Sequence, residues 1–363
     1  MKMLFASVFG LILTVSALIS STPNTTKELD ILKEKMTLQN AQNMFKDALD
    51  LYYADKIDEM IEAYNKMIRE FENSTNEEIN VMMVQSMYNL ALGYKKKNDI
   101  KAEKDTYKRI VLKFIDANDT NTEFIVANSL YNQADIAYNA NNTKDEIKIY
   151  QKFIDRFENT DDENIRVLTV GIMASLGYVY GKQGKENKAI DIYTKLIDKF
   201  EDFQNEYAQS IIVGALINLG INHIKTGKIQ EGLVSYQKII DKFKDSADSN
   251  VVQIVAAAVT NKIEAEICND IKPTFSDKNE ELADKSEYSI FMYEFLQILY
   301  GATHERQTEN LNIWQSKYSH FSFKNKNVDF DFSDLDKWVK KLKNPKRDWV
   351  QECIDALKMF ADK

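Results

Sequence analysis

One eight-residue pattern recurs along this chain at a fixed interval. YQKFIDRF begins at Tyr150, YTKLIDKF at Tyr193 and YQKIIDKF at Tyr236, each 43 residues after the last. The same step backwards reaches YKRIVLKF at Tyr107 and YNKMIREF at Tyr64. Within each copy the apolar side chains fall at i, i+3, i+4 and i+7, as in Tyr150, Phe153, Ile154 and Phe157, which is one face of an α-helix. Lys and Asp fill the other positions, so each copy predicts a helix with one apolar stripe and one solvated side. Burying each large side chain contributes roughly 1.5–3 kcal/mol, so the stripe needs a neighbouring element to cover it.

That element stands just upstream. Sixteen residues before each repeated Tyr comes a small residue, namely Ala48, Ala91, Ala134, Gly177 or Gly220, and four before that a large one, Met44, Met87, Leu130, Met173 or Leu216. Small next to large on one helical face lets two helix axes approach closely while the gap beside them is filled. Short polar breaks such as KKKND (Lys95–Asp99) and GKQGK (Gly181–Lys185) join the two helices, and breaks of this length suit an antiparallel helical hairpin. With only three prolines and eleven glycines in 363 residues, the turn chemistry that a sheet-rich fold requires is missing.

YNLALGYKKKND (Tyr88–Asp99) and SLGYVYGKQGKENKAIDIY (Ser175–Tyr193) resemble the tetratricopeptide repeat, the first as its opening helix and turn, the second running on into its closing helix. The resemblance extends over about residues 40–268 by the repeat period. It departs from the family in several ways. The usual period is about 34 residues, so each unit carries a surplus, placed in polar stretches such as ENTDDEN (Glu158–Asn164) and in a longer first helix. Glu103 and Glu146 stand where the family has a small residue, Asp47 and Gln133 where it has Leu, and its closing proline is absent. The resemblance implies an all-α fold, an α-solenoid of stacked antiparallel helix hairpins winding as a right-handed superhelix with a C-terminal helical cap. The expected organisation is a signal peptide over 1–21, a capping segment over 22–39 in which Leu29, Ile31, Leu32 and Met36 shield the front, five helix pairs plus one further first helix over 40–268, and a C-terminal helical region over 273–363.

Lys2 followed by the uncharged run Leu4–Ser20 describes a secretory signal peptide; an uncleaved membrane anchor is the other reading. The first places the mature chain in the periplasm or outside the cell, the second at the inner membrane. Formal charge is −9, which argues against nucleic acid or an anionic membrane surface as partner. Cys268 and Cys353 each sit in an apolar helical pattern, open to a disulfide after export or to burial as small hydrophobes.

Catalytic patterns are sparse. His223, His304 and His320 have no metal-site spacing, HERQT at His304 lacks the second His of a zinc-protease motif, and no phosphate-binding glycine loop occurs. DANDTNTE (Asp116–Glu123) is acidic but lacks the Gly and Glu of a calcium loop. After Lys272-Pro273 the repeat is lost; SIFMYEFLQILY (Ser289–Tyr300) is too apolar for an exposed face, Trp314, Trp338 and Trp349 all lie in this region, and Trp349, Cys353, Leu357 and Phe360 form a last stripe. A capping bundle and a separate partner-binding domain are the two readings.

In the tetratricopeptide family the first helices line a concave groove that holds an extended peptide or a partner helix. Carried over position by position, the resemblance implies a partner-binding set of Phe45, Tyr88, Asn89, Tyr131, Asn132, Asp135, Tyr138, Tyr178 and Asn218. Tyr offers a rigid aromatic contact with a polar tip and Asn both a donor and an acceptor. Only Lys46 and Lys95 fall at groove positions, too few for the family's carboxylate clamp. The expected function is a non-catalytic interaction scaffold of the bacterial cell envelope that takes a protein or peptide partner and no cofactor. The alternatives are a self-associating structural protein or an enzyme with its chemistry in the C-terminal region.

Overall fold

The computed structural model of the chain describes residues 23–269 and 271–304. Among the described residues there are thirteen α-helices and no strand. They are α1 (Pro23–Tyr53), α2 (Ile57–Phe71), α3 (Glu77–Lys96), α4 (Ile100–Phe114), α5 (Thr120–Asn139), α6 (Thr143–Phe157), α7 (Glu163–Lys182), α8 (Glu186–Phe200), α9 (Glu206–Lys225), α10 (Ile229–Phe243), α11 (Ser249–Cys268), α12 (Asp277–Ala283) and α13 (Glu287–His304). From α3 onward the pairs follow one template, a first helix of 20 residues and a second of 15. The fold is an all-α solenoid of antiparallel helix pairs.

Repeated local chemistry sets these boundaries. Each first helix from α3 to α11 is preceded by Asn76, Asp119, Asp162, Asn205 or Asp248, whose side-chain oxygen accepts from the backbone N–H three residues on, at 2.9–3.2 Å. This is N-capping, and it gives the acidic DANDT stretch a structural role at Asp119. Inside each hairpin one residue takes positive φ: Asp55, Asn98, Asn141, Gly184 and Gly227, at 55°, 56°, 52°, 66° and 78°. The tight link between the helices demands that left-handed position, and Gly, Asn and Asp are the residues that accept it.

The described helices group into two compact units, divided in sequence between Ile165 and Arg166. In the first unit α2 and α4 each pack against the first helices on either side, α6 packs against α5, and the first helices also touch one another, α1 with α3 and α3 with α5. The repeated stripes are its core: Tyr64, Met67, Ile68 and Phe71, then Tyr107, Ile110, Val111 and Phe114, then Tyr150, Phe153, Ile154 and Phe157 are all buried. A repeated cation ties neighbouring second helices. Lys113 donates to the carbonyl of Glu72, just past the end of α2, and Arg156 Nε donates to that of Ile115, just past α4, at 2.8 Å. These carbonyls lie at the negative end of a helix dipole and have no partner within their own helix, so a cation there satisfies both needs.

In the second unit α9, α10 and α11 pack in the same order, and α12 and α13 lie against α11. Gly177 and Gly220 admit a close approach: a Cβ on either would sit 2.7 Å from the Tyr193 ring or 2.5 Å from the Tyr236 ring. Lys242 repeats the cation tie, donating to the carbonyl of Glu201 at 3.0 Å. The apolar SIFMYEFLQILY stretch forms most of α13 and buries Phe291, Met292, Tyr293, Phe295 and Leu296. Tyr293 Oη donates to the Ser276 carbonyl at 3.0 Å and its ring meets Phe275 edge-on at 5.5 Å.

At the front, the expected capping segment runs straight into the first repeat. Residues 23–53 form one continuous helix, because nothing between them breaks the backbone ladder. Ile31, Leu32 and Met36 are exposed, and packing begins at Leu38, with Ala41, Met44 and Phe45 joining Met67, Phe71 and Ile79. The apolar run over 4–20, the three tryptophans, His320 and Cys353 with the stripe around it lie outside the described residues, as does the Cys268–Cys353 pairing. Among the described residues no helix is long and apolar enough to cross a membrane.

Candidate functional site

The first-helix row of the first unit carries most of the expected binding residues. On α5, Tyr131, Asp135 and Tyr138 follow at i, i+4 and i+7 and all face solvent, the two rings 46% and 62% exposed. Phe124, 40% exposed, and Asn128 extend the same strip toward the helix start. On α3 the matching positions are Tyr88 and Leu92, half-buried, and Lys95, exposed. On α1 Phe45 is half-buried, its ring 6.3 Å from that of Tyr64 and packed on the core. The row therefore presents a run of aromatic side chains that the described residues leave exposed, whereas the second-helix stripes of this unit are buried.

The asparagines sit differently from the tyrosines. Asn89 Nδ2 donates to Tyr64 Oη at 2.9 Å, and Asn218 forms the matching side-chain bond to Tyr193 in the second unit. Those amides anchor the buried Tyr of a second helix, so each is at least partly engaged within the fold. Asn132 donates to the Asn128 carbonyl at 2.8 Å and lies 3.5 Å from Tyr88 Oη. In the second unit Tyr178 is 51% exposed on α7, with Lys182 Nζ 5.9 Å from its ring centre. Around it the row is lean: a Cβ on Gly214 would meet nothing within 4 Å, and one on Gly171 only Ile211 at 4.0 Å.

Beneath the α3–α5 face lies a pair that sequence reasoning did not place in the site. Glu103, at the start of α4, is buried, and Tyr107 one turn on is fully buried, its hydroxyl without a hydrogen-bond partner among the described residues. The Tyr107 ring lies 5.9 Å from that of Tyr88. Burial pushes the Glu103 carboxyl above the usual carboxylate range; the charge of Asp135 adds to the rise and that of Lys95 opposes it. Burial likewise pushes the Tyr107 hydroxyl well above the ordinary tyrosine value. The signal in the sequence was the acid itself: the equivalent positions in other repeats hold Met60, Ala189 and Gly232, with Glu recurring only at Glu146.

Among the described residues no group of His, Cys, Asp and Glu side chains is arranged to hold a metal ion. His223 Nδ1 is buried without a hydrogen bond, and burial lowers its pKa, so its ring favours the neutral form.

An array of helix pairs with a recurring small-residue register, capped helix starts and an exposed first-helix face defines a helical repeat protein. Residues 128–160 and 175–202 match the family described as tetratricopeptide repeat. Over those stretches the chain carries tetratricopeptide-type repeats, which support a protein-interaction scaffold. No curated protein matches it. Among solved structures it is similar to BtubC (BKLC) from P. vanneervenii, at 11% identity over 70% of this chain and 90% of that one, with a TM-score of 0.42. It is similar also to a tetratricopeptide repeat protein from Parabacteroides merdae, at 11% identity over 84% and 98% with a TM-score of 0.40. A third is a signal-transduction ATPase with a tetratricopeptide repeat sensor from Pyrococcus horikoshii, at 15% identity over 84% and 44% with a TM-score of 0.46.

Proposed function

We propose that this chain is an exported, non-catalytic adaptor of the bacterial cell envelope that holds a peptide or protein segment against its first-helix face. The observation that carries the reading is the strip of Tyr131, Asp135 and Tyr138 on α5, beside Tyr88 on α3. Large aromatics with a polar tip, grouped on one face and left in water, are what an interface core uses. Export is supported by Lys2 and the uncharged run after it.

A photo-crosslinking residue placed at position 131 or 138 of the full chain, expressed in its native cells, tests the reading. A discrete crosslinked partner in the envelope fraction is expected, with yield reduced about tenfold by Tyr88→Ala, as for a hot-spot aromatic. Crosslinks unchanged by that substitution, or none at all, would refute the groove. A second copy of this chain as the sole product would replace it with self-association.

A further inference from the structure

Resting on that reading, we propose that the corner formed by Tyr88, Glu103, Tyr107 and Asp135 is a subsite for a basic side chain, a lysine ammonium or an arginine guanidinium, of the segment that lies along the face. Four features converge there.

The first is the carboxyl of Glu103. The residue is 4% exposed, and among the described residues no hydrogen bond or ion pair reaches its side chain. Its oxygens are not among the fully buried atoms that lack a partner, so the group retains a narrow access to solvent. The second is Tyr107 Oη, sealed from solvent and unpaired. One repeat further on the same two positions satisfy each other, Tyr150 Oη donating to Glu146 Oε1 at 3.1 Å. The amide that serves Tyr64 in the preceding repeat is Asn89, and its counterpart Asn132 is turned to Tyr88 and Asn128. This corner is the one left open in a pattern that neighbouring repeats close.

Chemistry then selects the occupant. A buried carboxylate without a donor is costly, and a charged N–H donor is the partner that offsets it best. Asp135 adds a second negative charge from α5, and among the described residues the cation set against the pair is Lys95 on α3. Lys95 is exposed and forms no ion pair with Glu103 within 4 Å, so it does not fill the corner. The rings of Tyr88, Tyr131 and Tyr138 on the same face provide the π-surfaces over which ammonium and guanidinium groups settle. An acidic side chain would meet two carboxylates, and an aliphatic one would leave Glu103 unpaired.

The test titrates the full chain, with its tyrosine rings isotopically labelled, against capped peptides Ac-Ser-Ala-Xaa-Ala-Ser-amide in which Xaa is Lys, norleucine or Glu. The Lys peptide should shift the Tyr88 and Tyr131 ring signals at a concentration about tenfold below that of the norleucine peptide, as expected for a partly desolvated cation beside aromatic and carboxylate groups. Glu103→Gln, which keeps the shape and removes the charge, should bring that preference to within about twofold. Equal binding of Lys and norleucine peptides, or a preference undiminished in Glu103→Gln, overturns the subsite while Tyr131 shifts keep the face as a binding surface. Silence of the Tyr131 ring with every peptide overturns both.

Discussion

Arg156→Ala is the most informative test of how neighbouring repeats are held together. In the folded chain the guanidinium spans three acceptors beyond its own helix: the carbonyls of Ile115 and Ala117, each at 2.8 Å, and Glu123 Oε1 at 2.6 Å. It also lies 5.0 Å from the Phe157 ring centre. The two ends of the Arg156–Glu123 pair are 26% and 22% exposed, so solvent screens it only in part. A hydrogen bond to a charged group contributes about 1.5–3 kcal/mol, and the three are not additive because they share one side chain. Removing them together leaves two carbonyls past the end of α4 unsatisfied, for an expected loss of about 3 kcal/mol. Arg156→Lys should restore roughly one contact and about 1 kcal/mol, since Lys113 makes one such bond to the carbonyl of Glu72. The assay is urea unfolding followed by far-ultraviolet circular dichroism, paired with hydrogen exchange of the amides between α4 and α5. A loss below about 0.5 kcal/mol for Arg156→Ala, the range of an ordinary surface substitution, would refute the tie.

Two further outcomes are expected. Burial pushes the Glu264 carboxyl up to about 7 on α11, beside Tyr236 and Tyr288. The folded state thus holds a proton that the unfolded chain releases near its ordinary value of about 4.3. The resulting stability is fully present below the unfolded value and is lost as pH rises through about 7. Glu264→Gln should remove that loss, so its stability relative to the parent rises between about pH 4.3 and 7 and levels off above that in parallel urea titrations, and identical pH slopes would contradict it. At the left-handed turn position, Gly227→Ala should destabilise by about 1 kcal/mol, whereas Asn98→Gly should be neutral or slightly stabilising, because only the former adds a Cβ at positive φ. Thermal melts in which both substitutions destabilise equally would contradict the turn argument.

Much of the architecture was readable because its causes are local and recur. The i, i+3, i+4, i+7 stripe, the small residue sixteen positions earlier and the polar break between them each act within a few turns of helix, and five copies in register remove the ambiguity of any one. Side-chain engagement was less legible. Asn89 and Tyr88 are neighbours in the sequence and both fall at groove positions, yet the Asn89 amide reaches back 25 residues to Tyr64 while Tyr131 and Tyr138 stay in solvent. Lys113, Arg156 and Lys242 read as solvated charges on an amphipathic helix. Each instead closes the end of the preceding repeat, 41 residues upstream.

The order and length of the helices, their caps and the left-handed turn residues follow from the amino-acid sequence alone, since backbone propensity, capping and periodicity are short-range. Which polar groups remain unpaired was decided only when the repeats stacked. Glu146 and Tyr150 meet within one helix turn, while Glu103 and Tyr107, at identical spacing, do not. The difference rests on how each side chain is oriented by its packed neighbours, and that depends on residues distant along the chain.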